Sequence, residues 1–401
     1  MKLANRLAGV KAGESMVIAA RAQALAAQGH QPISLAMGEP SFDTPMHAVE
    51  AAHAAALSGD TKYPPASGTA RMREAVRTKF SRDNGLSYDA DEVIIGNGSK
   101  QLMLSAFMAT CNPGDEIIIP RPGYMAYDPF VHMAECVPVY WSCSEERGFI
   151  PSAAELESLI TERTRWVIIN HPSNPTGAVC TKADLTSYAE VLLRHPDVLV
   201  ISDDMYEHMI YSEEGFHTIA RVEQRLKERV MTVNGVSKSY GMTGWRVGYA
   251  GGSRELIDAL NTLLGYWTGG VGTINQAAAI AAIEGPQELI AERREIYRRH
   301  RDYVLEALRE IPQISCHMPD GAFYLYPNIQ KCLNTVTPKG RKIATDSDFT
   351  AALFDEKMVA MVPGSAYGLS PYARISYATS MDNLREGMSR LSDFCASLEP
   401  K

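Results

Sequence analysis

The chain has 401 residues, of which 45% are apolar and 21% charged, and its formal net charge is -8. This mix is typical of a globular protein, and an acidic total without a run of lysines and arginines argues against a nucleic-acid partner. The spacing of the seven cysteines and ten histidines matches no metal-binding motif and indicates reduced thiols. With no secretory signal and no long apolar span, we expect a cytoplasmic protein with no membrane partner.

The hydrophobic pattern predicts an N-terminal helix over residues 17–28 and a short strand over 32–37. From residue 91 onward, apolar runs alternate with helical stretches, which is typical of an α/β architecture with a largely parallel sheet. Seven strands are predicted in that sheet, at 93–95, 116–120, 137–141, 166–170, 198–202, 230–233 and 247–250. A long charged helix over 289–310 then leads to shorter strands near 321–326, 359–362 and 373–378. We therefore predict a large domain over 46–285 and a smaller α+β domain formed by 1–45 and 286–401.

Ligands of such sheets bind beyond the carboxyl ends of the strands, so the residues after each strand are the candidates for a site. Small residues after the first strand, Gly98 and Ser99, precede Lys100 and a predicted helix. Free backbone N–H groups at a helix N-terminus suit a phosphate, although an ordinary strand–helix turn fits this motif equally well when it stands alone. The loop lacks the Gly-Lys-Ser/Thr of a Walker motif.

Later strand ends supply an aromatic ring, an amide and a carboxylate. Tyr124 follows a Pro-Gly turn, and Asn174 lies in a loop made rigid by two prolines. Asp203 ends a buried strand, where a carboxylate needs a cation or serves as a helix N-cap. Lys238 follows the strand 230–233, with Arg246 eight positions later. An amine that is crowded by cations or partly desolvated loses its proton and becomes a nucleophile, whereas a lysine on the surface does not.

Together these groups are what a pyridoxal phosphate site requires, including a lysine that can form a Schiff base. The stretch 235–248, Gly-Val-Ser-Lys-Ser-Tyr-Gly-Met-Thr-Gly-Trp-Arg-Val-Gly, resembles throughout the cofactor-attachment pattern of the class I/II aminotransferases, which are pyridoxal phosphate enzymes of fold-type I. Further matching segments follow in the family's order, at 37–40, 98–100, 174–177, 202–206 and 373–377. The resemblance is aspartate aminotransferase-like and covers nearly the whole chain.

The resemblance implies a role for each of these residues toward pyridoxal 5'-phosphate. Lys238 would form the Schiff base and move the substrate proton, while Asp203 would keep the ring nitrogen protonated. Tyr206 and Asn174 would hydrogen-bond the ring hydroxyl oxygen, and Tyr124 would stack on the ring. The phosphate would be held by Gly98, Ser99, Lys100, Ser237 and Arg246. The substrate α-carboxylate would be bound by Arg374, with Gly38 and Asn174 beside it. In relatives, the tyrosine at the position of Tyr63 reaches the phosphate of the other subunit, which implies a homodimer with shared active sites.

The function implied is an aminotransferase with a ping-pong cycle, which moves an amino group from an L-amino acid to a 2-oxo acid such as 2-oxoglutarate. Two departures affect this expectation: Gly235 stands where many relatives have serine, and no second arginine is assignable to a substrate side chain. Tyr266 and Trp267 favour apolar or aromatic substrates, so aspartate, aromatic and broad-range activities stay open. The alternatives are a lyase on the same fold that eliminates a β-substituent, and a non-catalytic cofactor sensor. The second lacks the DNA-binding extension that it needs.

Overall fold

The computed structural model describes residues 4–7, 10 and 13–400 of the chain. Its helices are α1 (Glu14–Ala27), α2 (Met46–Leu57), α3 (Ala70–Lys79), α4 (Ser99–Thr110), α5 (Tyr127–Met133), α6 (Ala153–Leu159), α7 (Lys182–Arg194), α8 (Ile219–Val222), α9 (Arg254–Trp267), α10 (Thr273–Glu284), α11 (Glu288–Arg309), α12 (Asp346–Lys357) and α13 (Met381–Ala396). Its strands are β1 (Ile33–Ser34), β2 (Val93–Gly96), β3 (Glu116–Arg121), β4 (Val137–Ser142), β5 (Thr164–Asn170), β6 (Leu199–Asp203), β7 (Val230–Gly235), β8 (Gly248–Gly251), β9 (Tyr324–Leu325), β10 (Thr335–Val336), β11 (Lys342–Ile343), β12 (Val359–Ala360), β13 (Val362–Pro363), β14 (Ala373–Ser376) and β15 (Glu399–Pro400).

The large sheet has seven strands in the order β2-β8-β7-β6-β5-β3-β4, which confirms the predicted α/β fold. Strands β7, β6, β5, β3 and β4 pair in parallel, and β8 runs antiparallel to both of its neighbours. Each of these strands begins and ends within two residues of its prediction. In the register of the sheet, Asn170 at the end of β5 lies opposite Asp203 at the end of β6. The polar residues that follow the parallel strands therefore meet at one edge.

Helices cover both faces of this sheet because successive residues of a strand point to opposite faces. On β5, Val167 packs in a core cluster with α2, α3, α7 and α10, whereas Ile168 packs in another with α4, α5 and α9. Both side chains are fully buried. Strands that are apolar on both faces are expected for a parallel sheet covered by helices, as the continuous apolar runs of the sequence indicated.

The C-terminal part has its own apolar core and smaller sheets. Strand β14 lies between β13 and β9, and β1 pairs in parallel with β12, so the N-terminal segment joins the C-terminal part. This pairing supports the predicted smaller domain, while its boundaries with the large domain stay a prediction. Of the residues predicted for the smaller domain, 1–3, 8–9, 11–12 and 401 lie outside the described residues. Strands β10, β11 and β15 were not predicted, because they lie in polar stretches of the sequence without an apolar run. Among the helices described, none has the length and apolar character needed to cross a membrane.

Candidate active site

A cavity of about 390 Å³ opens at the carboxyl ends of the parallel strands. Twelve of the predicted site residues line it: Gly38, Gly98, Ser99, Lys100, Tyr124, Asn174, Asp203, Tyr206, Ser237, Lys238, Arg246 and Arg374. The structure thus gathers groups from α4, β6 and β14 and from the segments that follow β1, β3, β5 and β7, which are far apart in sequence. Tyr63 is the exception, because it is 97% exposed on the surface of this chain.

Lys238 follows β7 and points into the cavity, where its ammonium donates a hydrogen bond to the carbonyl oxygen of Gly38 at 2.5 Å. Burial is the largest cause that lowers the pKa of Lys238, which is about 8. Arg374, Lys100 and Arg246 contribute to this value by repelling the charged amine, while Glu39 opposes them. A lysine with this pKa is neutral in a large fraction of molecules near pH 8, so it can attack an aldehyde.

Asp203 presents a buried carboxylate with one oxygen left free. The hydroxyl of Tyr127 donates a hydrogen bond to Oδ2 at 2.7 Å, and Oδ1 is buried with no hydrogen-bond partner among residues 4–7, 10 and 13–400. Burial raises the pKa of the carboxyl, against the opposing effects of Tyr127, the backbone N–H of Met205 and the charge of Lys238. A protonated ring nitrogen at Oδ1 would satisfy this oxygen and favour the charged carboxylate, which is the tuning that pyridoxal phosphate requires.

The start of helix α4 forms a cradle for an anion. Its N-cap is Gly98, which provides no side-chain cap, whereas Thr181 and Thr345 cap α7 and α12. The N–H of Gln101 donates to the carbonyl oxygen of Gly98, and those of Ser99 and Lys100 are left to bind a phosphate. Gly98 has φ +84°, and a Cβ there would lie 2.4 Å from Nη2 of Arg246, so glycine is needed for the guanidinium to approach. Arg246 itself has a left-handed φ of 56°, a strained conformation that is often found at functional sites.

Arg374 is a buried cation that forms no ion pair with any carboxylate in the described part of the chain. Its side chain lines the cavity, and the residue as a whole is only 2% exposed. Nη1 donates to Oδ1 of Asn174 at 2.9 Å, Nη2 donates to the carbonyl oxygen of Ala36, and Nε is buried without a partner. Among the described residues, no carboxylate lies within ion-pair distance of this guanidinium. A buried guanidinium that has only neutral acceptors is a strong site for a carboxylate ligand.

Two tyrosines and an asparagine of the site were not predicted. The hydroxyl of Tyr324 lies 2.6 Å from that of Tyr206, and the Tyr324 ring packs against the guanidinium of Arg374, 4.5 Å from ring centroid to Cζ. Asn170 donates to the backbone oxygen of Asp203 at 3.1 Å, and its Oδ1 accepts from the N–H of Asn174. Asn170 is the last residue of a predicted strand, and this position at a strand end could have identified it as a site residue. For Tyr127 and Tyr324, only the tertiary structure shows where the hydroxyl lies.

The missing hydroxyl at Gly235 has a steric cause. Gly235 pairs with Gly248 in the sheet, and a Cβ at Gly235 would lie 2.9 Å from the carbonyl oxygen of Val247. A Cβ at Gly248 would lie 2.4 Å from the N–H nitrogen of Ser99. The two glycines therefore let β7, β8 and the start of α4 approach closely, and a serine at 235 does not fit this backbone.

Residues 30–391 match the family described as aminotransferase class I and II. The chain belongs to this family. Aspartate aminotransferase of Rhizobium meliloti strain 1021 is 47% identical over 395 residues, which cover 98% of this chain and 96% of the relative. Aspartate/prephenate aminotransferase of Cereibacter sphaeroides is 46% identical over 396 residues, 99% of each chain. The crystal structure of the Rhizobium meliloti aspartate aminotransferase has a TM-score of 0.95 at 46% identity and covers 100% of both chains. The Thermus thermophilus aspartate aminotransferase solved with maleate has a TM-score of 0.91 at 36% identity, over 98% of this chain and 100% of that one.

This aminotransferase is an enzyme that depends on pyridoxal phosphate, as the sequence predicted. When bound, the cofactor withdraws electrons from the substrate Cα and so lets its proton leave. The free oxygen of Asp203 fits the ring nitrogen of that cofactor. The uncapped start of α4 fits its phosphate, and the weakly basic amine of Lys238 fits its aldehyde. The residues present therefore suit the group that the family requires.

Proposed function

We propose that this aminotransferase takes the amino group of aspartate and passes it to a 2-oxo acid such as 2-oxoglutarate. The observation that carries the proposal is the buried guanidinium of Arg374, which is held in place by Asn174 and has no acidic partner within ion-pair distance among the described residues. Its planar fork binds the α-carboxylate that amino acids and 2-oxo acids share. The names of the relatives support aspartate as the donor.

For the cavity residues we propose the roles that the family resemblance implies, and their positions around one cavity support these roles. Lys238 would hold the cofactor aldehyde and, as a free amine, would move the proton at the substrate Cα, for which its low pKa suits it. Asp203 would keep the ring nitrogen charged, and Tyr124 would pack on the ring. Tyr206 and Asn174 would hydrogen-bond the ring hydroxyl, and Gly38 would border the substrate. Ser237 joins Gly98, Ser99, Lys100 and Arg246 around the phosphate.

The amino donor is tested by half-reactions. The purified holoenzyme is mixed with aspartate, phenylalanine or alanine alone, and the visible absorbance of the bound cofactor is followed. We expect aspartate to convert the cofactor to its amino form fastest, with oxaloacetate as the product. Faster conversion by phenylalanine would overturn the choice of aspartate. In a separate mixture with an amino acid that carries a β-leaving group, release of pyruvate and ammonia would favour the lyase.

Steady-state kinetics with aspartate and alanine, together with cofactor binding, tests the role of Lys100. Lys100 is in the first turn of α4, and its ammonium lies 5.6 Å from the centroid of the Tyr124 ring. We propose the phosphate as its ligand. Lys100→Met should then weaken cofactor binding and leave KM for aspartate and for alanine in the same ratio. A rise in KM for aspartate alone would instead assign Lys100 to the side-chain carboxylate of the substrate.

We propose a homodimer with shared active sites, with Tyr63 of each subunit at the phosphate of the other. Tyr63 is 97% exposed and Tyr266 is 90% exposed on the isolated chain, and large aromatic side chains are seldom left in water without a partner surface. Trp267 is also exposed, so neither Tyr266 nor Trp267 lines the cavity of its own chain.

The shared site is tested with two inactive variants, Lys238→Ala and Tyr63→Ala. If subunits exchange, a mixed dimer has both changes in one site and an intact second site, so activity should return on co-refolding. A mixture that stays as inactive as its parts would show that each site belongs to one chain.

A cytoplasmic location also stays a prediction, supported by seven free cysteines that form no disulfide in the structure.

A further inference from the structure

A cluster of polar side chains lies beside the active site without lining its cavity. We call Lys79, Asp83, Asn84, Glu207 and His208 the polar cluster; they come from the end of α3, the turn that follows it and the loop after β6. None of the five borders the cavity that holds Lys238. The roles proposed above use none of them.

The core of the polar cluster is an ion pair removed from water. The Lys79 ammonium contacts Oε1 of Glu207, and both side chains are at most 2% exposed. Asn84 connects the pair, because its Oδ1 accepts from Lys79 at 2.7 Å and its Nδ2 donates to Oε2 of Glu207 at 2.6 Å. A buried ion pair that a third side chain bridges through two hydrogen bonds has a fixed geometry, and here it fixes Glu207, the residue after Tyr206.

His208 extends from this pair toward the cofactor lysine. Its Nε2 faces two carboxylates, at 3.3 Å from Oδ2 of Asp83 and 3.6 Å from Oε1 of Glu207. Its Nδ1 lies 2.8 Å from the hydroxyl oxygen of Ser239. Carboxylates accept hydrogen bonds, so Nε2 carries the hydrogen, and in the neutral ring Nδ1 accepts the hydrogen of the Ser239 hydroxyl.

Ser239 is the residue that follows Lys238. It is buried, and its carbonyl oxygen accepts from Nη1 of Arg293 at 3.3 Å. Asp203 is the last residue of β6 and Tyr206 lies in the loop that follows it, whereas Lys238 lies in the loop after β7. The bond between His208 and Ser239 is therefore a direct side-chain link between the loop that follows Asp203 and the loop that carries Lys238.

We propose that His208 is a positioning residue of the active site, which holds Lys238 in register with Asp203 and Tyr206 through the hydroxyl of Ser239. Asp83 and Glu207 orient the imidazole, and Lys79 and Arg82 neutralise these two carboxylates. Arg82 donates to Oδ1 of Asp83 from Nε at 2.6 Å. Ligand atoms of Asp83, Glu207 and His208 lie within 4.8 Å of one another, a spacing that a metal ion also uses. Because Lys79 and Arg82 already neutralise both carboxylates, the geometry favours an ion-pair network.

The proposal rests on Lys238 as the cofactor lysine, and its test separates the two claims. The variants are His208→Leu, Ser239→Ala and the double variant, with His195→Leu as the matched control. His195 also pairs with a glutamate, its Nε2 lying 2.9 Å from Oε1 of Glu157, and it does not line the cavity. The readouts are the affinity of the apoprotein for pyridoxal phosphate and the pH at which the Lys238 amine of the apoprotein becomes reactive, both well below the melting temperature.

We expect His208→Leu and Ser239→Ala each to weaken cofactor affinity about two- to tenfold, the range of one lost hydrogen bond. The double variant should lose no more than the larger single effect, because both changes break the same link. The midpoint for Lys238 reactivity should move in these variants and stay in place in His195→Leu.

Three results would overturn the inference. Unchanged affinity and an unchanged midpoint in His208→Leu, even with a lower melting temperature, would leave His208 a purely structural role. Additive losses in the double variant would show that His208 and Ser239 act separately. Stabilisation of the wild-type protein by added Zn²⁺ or Mg²⁺ that requires His208 would make the polar cluster a metal site. If wild-type protein itself takes up no cofactor at Lys238, the proposed function fails instead.

Discussion

Replacing Tyr127 with phenylalanine removes one hydroxyl from the active site and should weaken the cofactor's hold on the protein. The Tyr127 hydroxyl is the side-chain donor to the carboxylate of Asp203, at 2.7 Å, and its ring is almost fully buried. The other oxygen of that carboxylate faces the position proposed for the ring nitrogen. Phenylalanine keeps the ring that packs edge-on against Tyr124, so the change isolates the hydrogen bond.

The size of the effect follows from the charge on the acceptor. A hydrogen bond to a charged group contributes roughly 1.5–3 kcal/mol, and about 1.4 kcal/mol corresponds to a factor of ten in affinity. In the apoprotein, burial already raises the pKa of Asp203, and loss of the donor raises it further, so the variant must recharge a less acidic carboxyl when it binds the cofactor. We expect about 10- to 100-fold weaker binding of pyridoxal phosphate in Tyr127→Phe.

The assay is equilibrium binding of pyridoxal phosphate to the apoprotein, followed by absorbance, with Tyr188→Phe as the control. Tyr188 is also buried and donates its hydroxyl to a single acceptor, the carbonyl oxygen of Pro151 at 2.7 Å, away from the cavity. The control should lose stability without losing cofactor affinity. Equal affinity in Tyr127→Phe and wild type, or an equal loss in both variants, would refute the role of Tyr127.

Three further predictions concern ionisation and packing. Burial raises the pKa of Asp204 from 3.8 to about 7, so this carboxyl destabilises the fold increasingly as pH rises from 3.8 to about 7, by about 4 kcal/mol at the upper end. Asp204→Asn should therefore unfold at higher denaturant than wild type at pH 8 and at a similar concentration at pH 4; lower stability at pH 8 would contradict this. The Lys238 amine of the apoprotein, with its pKa lowered to about 8, should react with an acylating reagent with a midpoint near that pH, and a midpoint near that of free lysine would contradict its burial beside cations. Gly235→Ser should lower the melting temperature, at a cost of about 1–3 kcal/mol, because its Cβ meets the backbone oxygen of Val247; an unchanged melting temperature would show that this backbone yields easily.

Much of the fold could be predicted because its signals are local. Continuous apolar runs marked each strand of the large sheet, and the residues after those runs marked most of the cavity lining, since parallel strands bring their carboxyl ends together. The two-residue strands β10, β11 and β15 carry no such signal, because their pairing depends on tertiary contacts.

Residues whose role depends on a long-range contact could not be predicted from the sequence. Tyr127 meets Asp203 across 76 positions and Tyr324 meets Tyr206 across 118, and in the sequence either tyrosine is indistinguishable from one that only packs. In the sequence, His208 was likewise indistinguishable from a surface histidine, and only the tertiary structure shows that it contacts Ser239. From the sequence, Gly235 indicated only that a phosphate-binding hydroxyl is missing. The structure gives the reason, because β8 lies so close to Gly235 that a side chain does not fit there.

The central claim is that Lys238 binds the cofactor, and reductive trapping tests it most directly. Treating the holoenzyme with sodium borohydride fixes pyridoxal phosphate to whichever lysine holds it, and peptide mass spectrometry then locates the label. We expect the label on the peptide that contains Lys238, and no label in Lys238→Ala prepared with the same cofactor. A label on Lys100 or on any other lysine, or an unlabelled Lys238 peptide from active enzyme, would contradict the account.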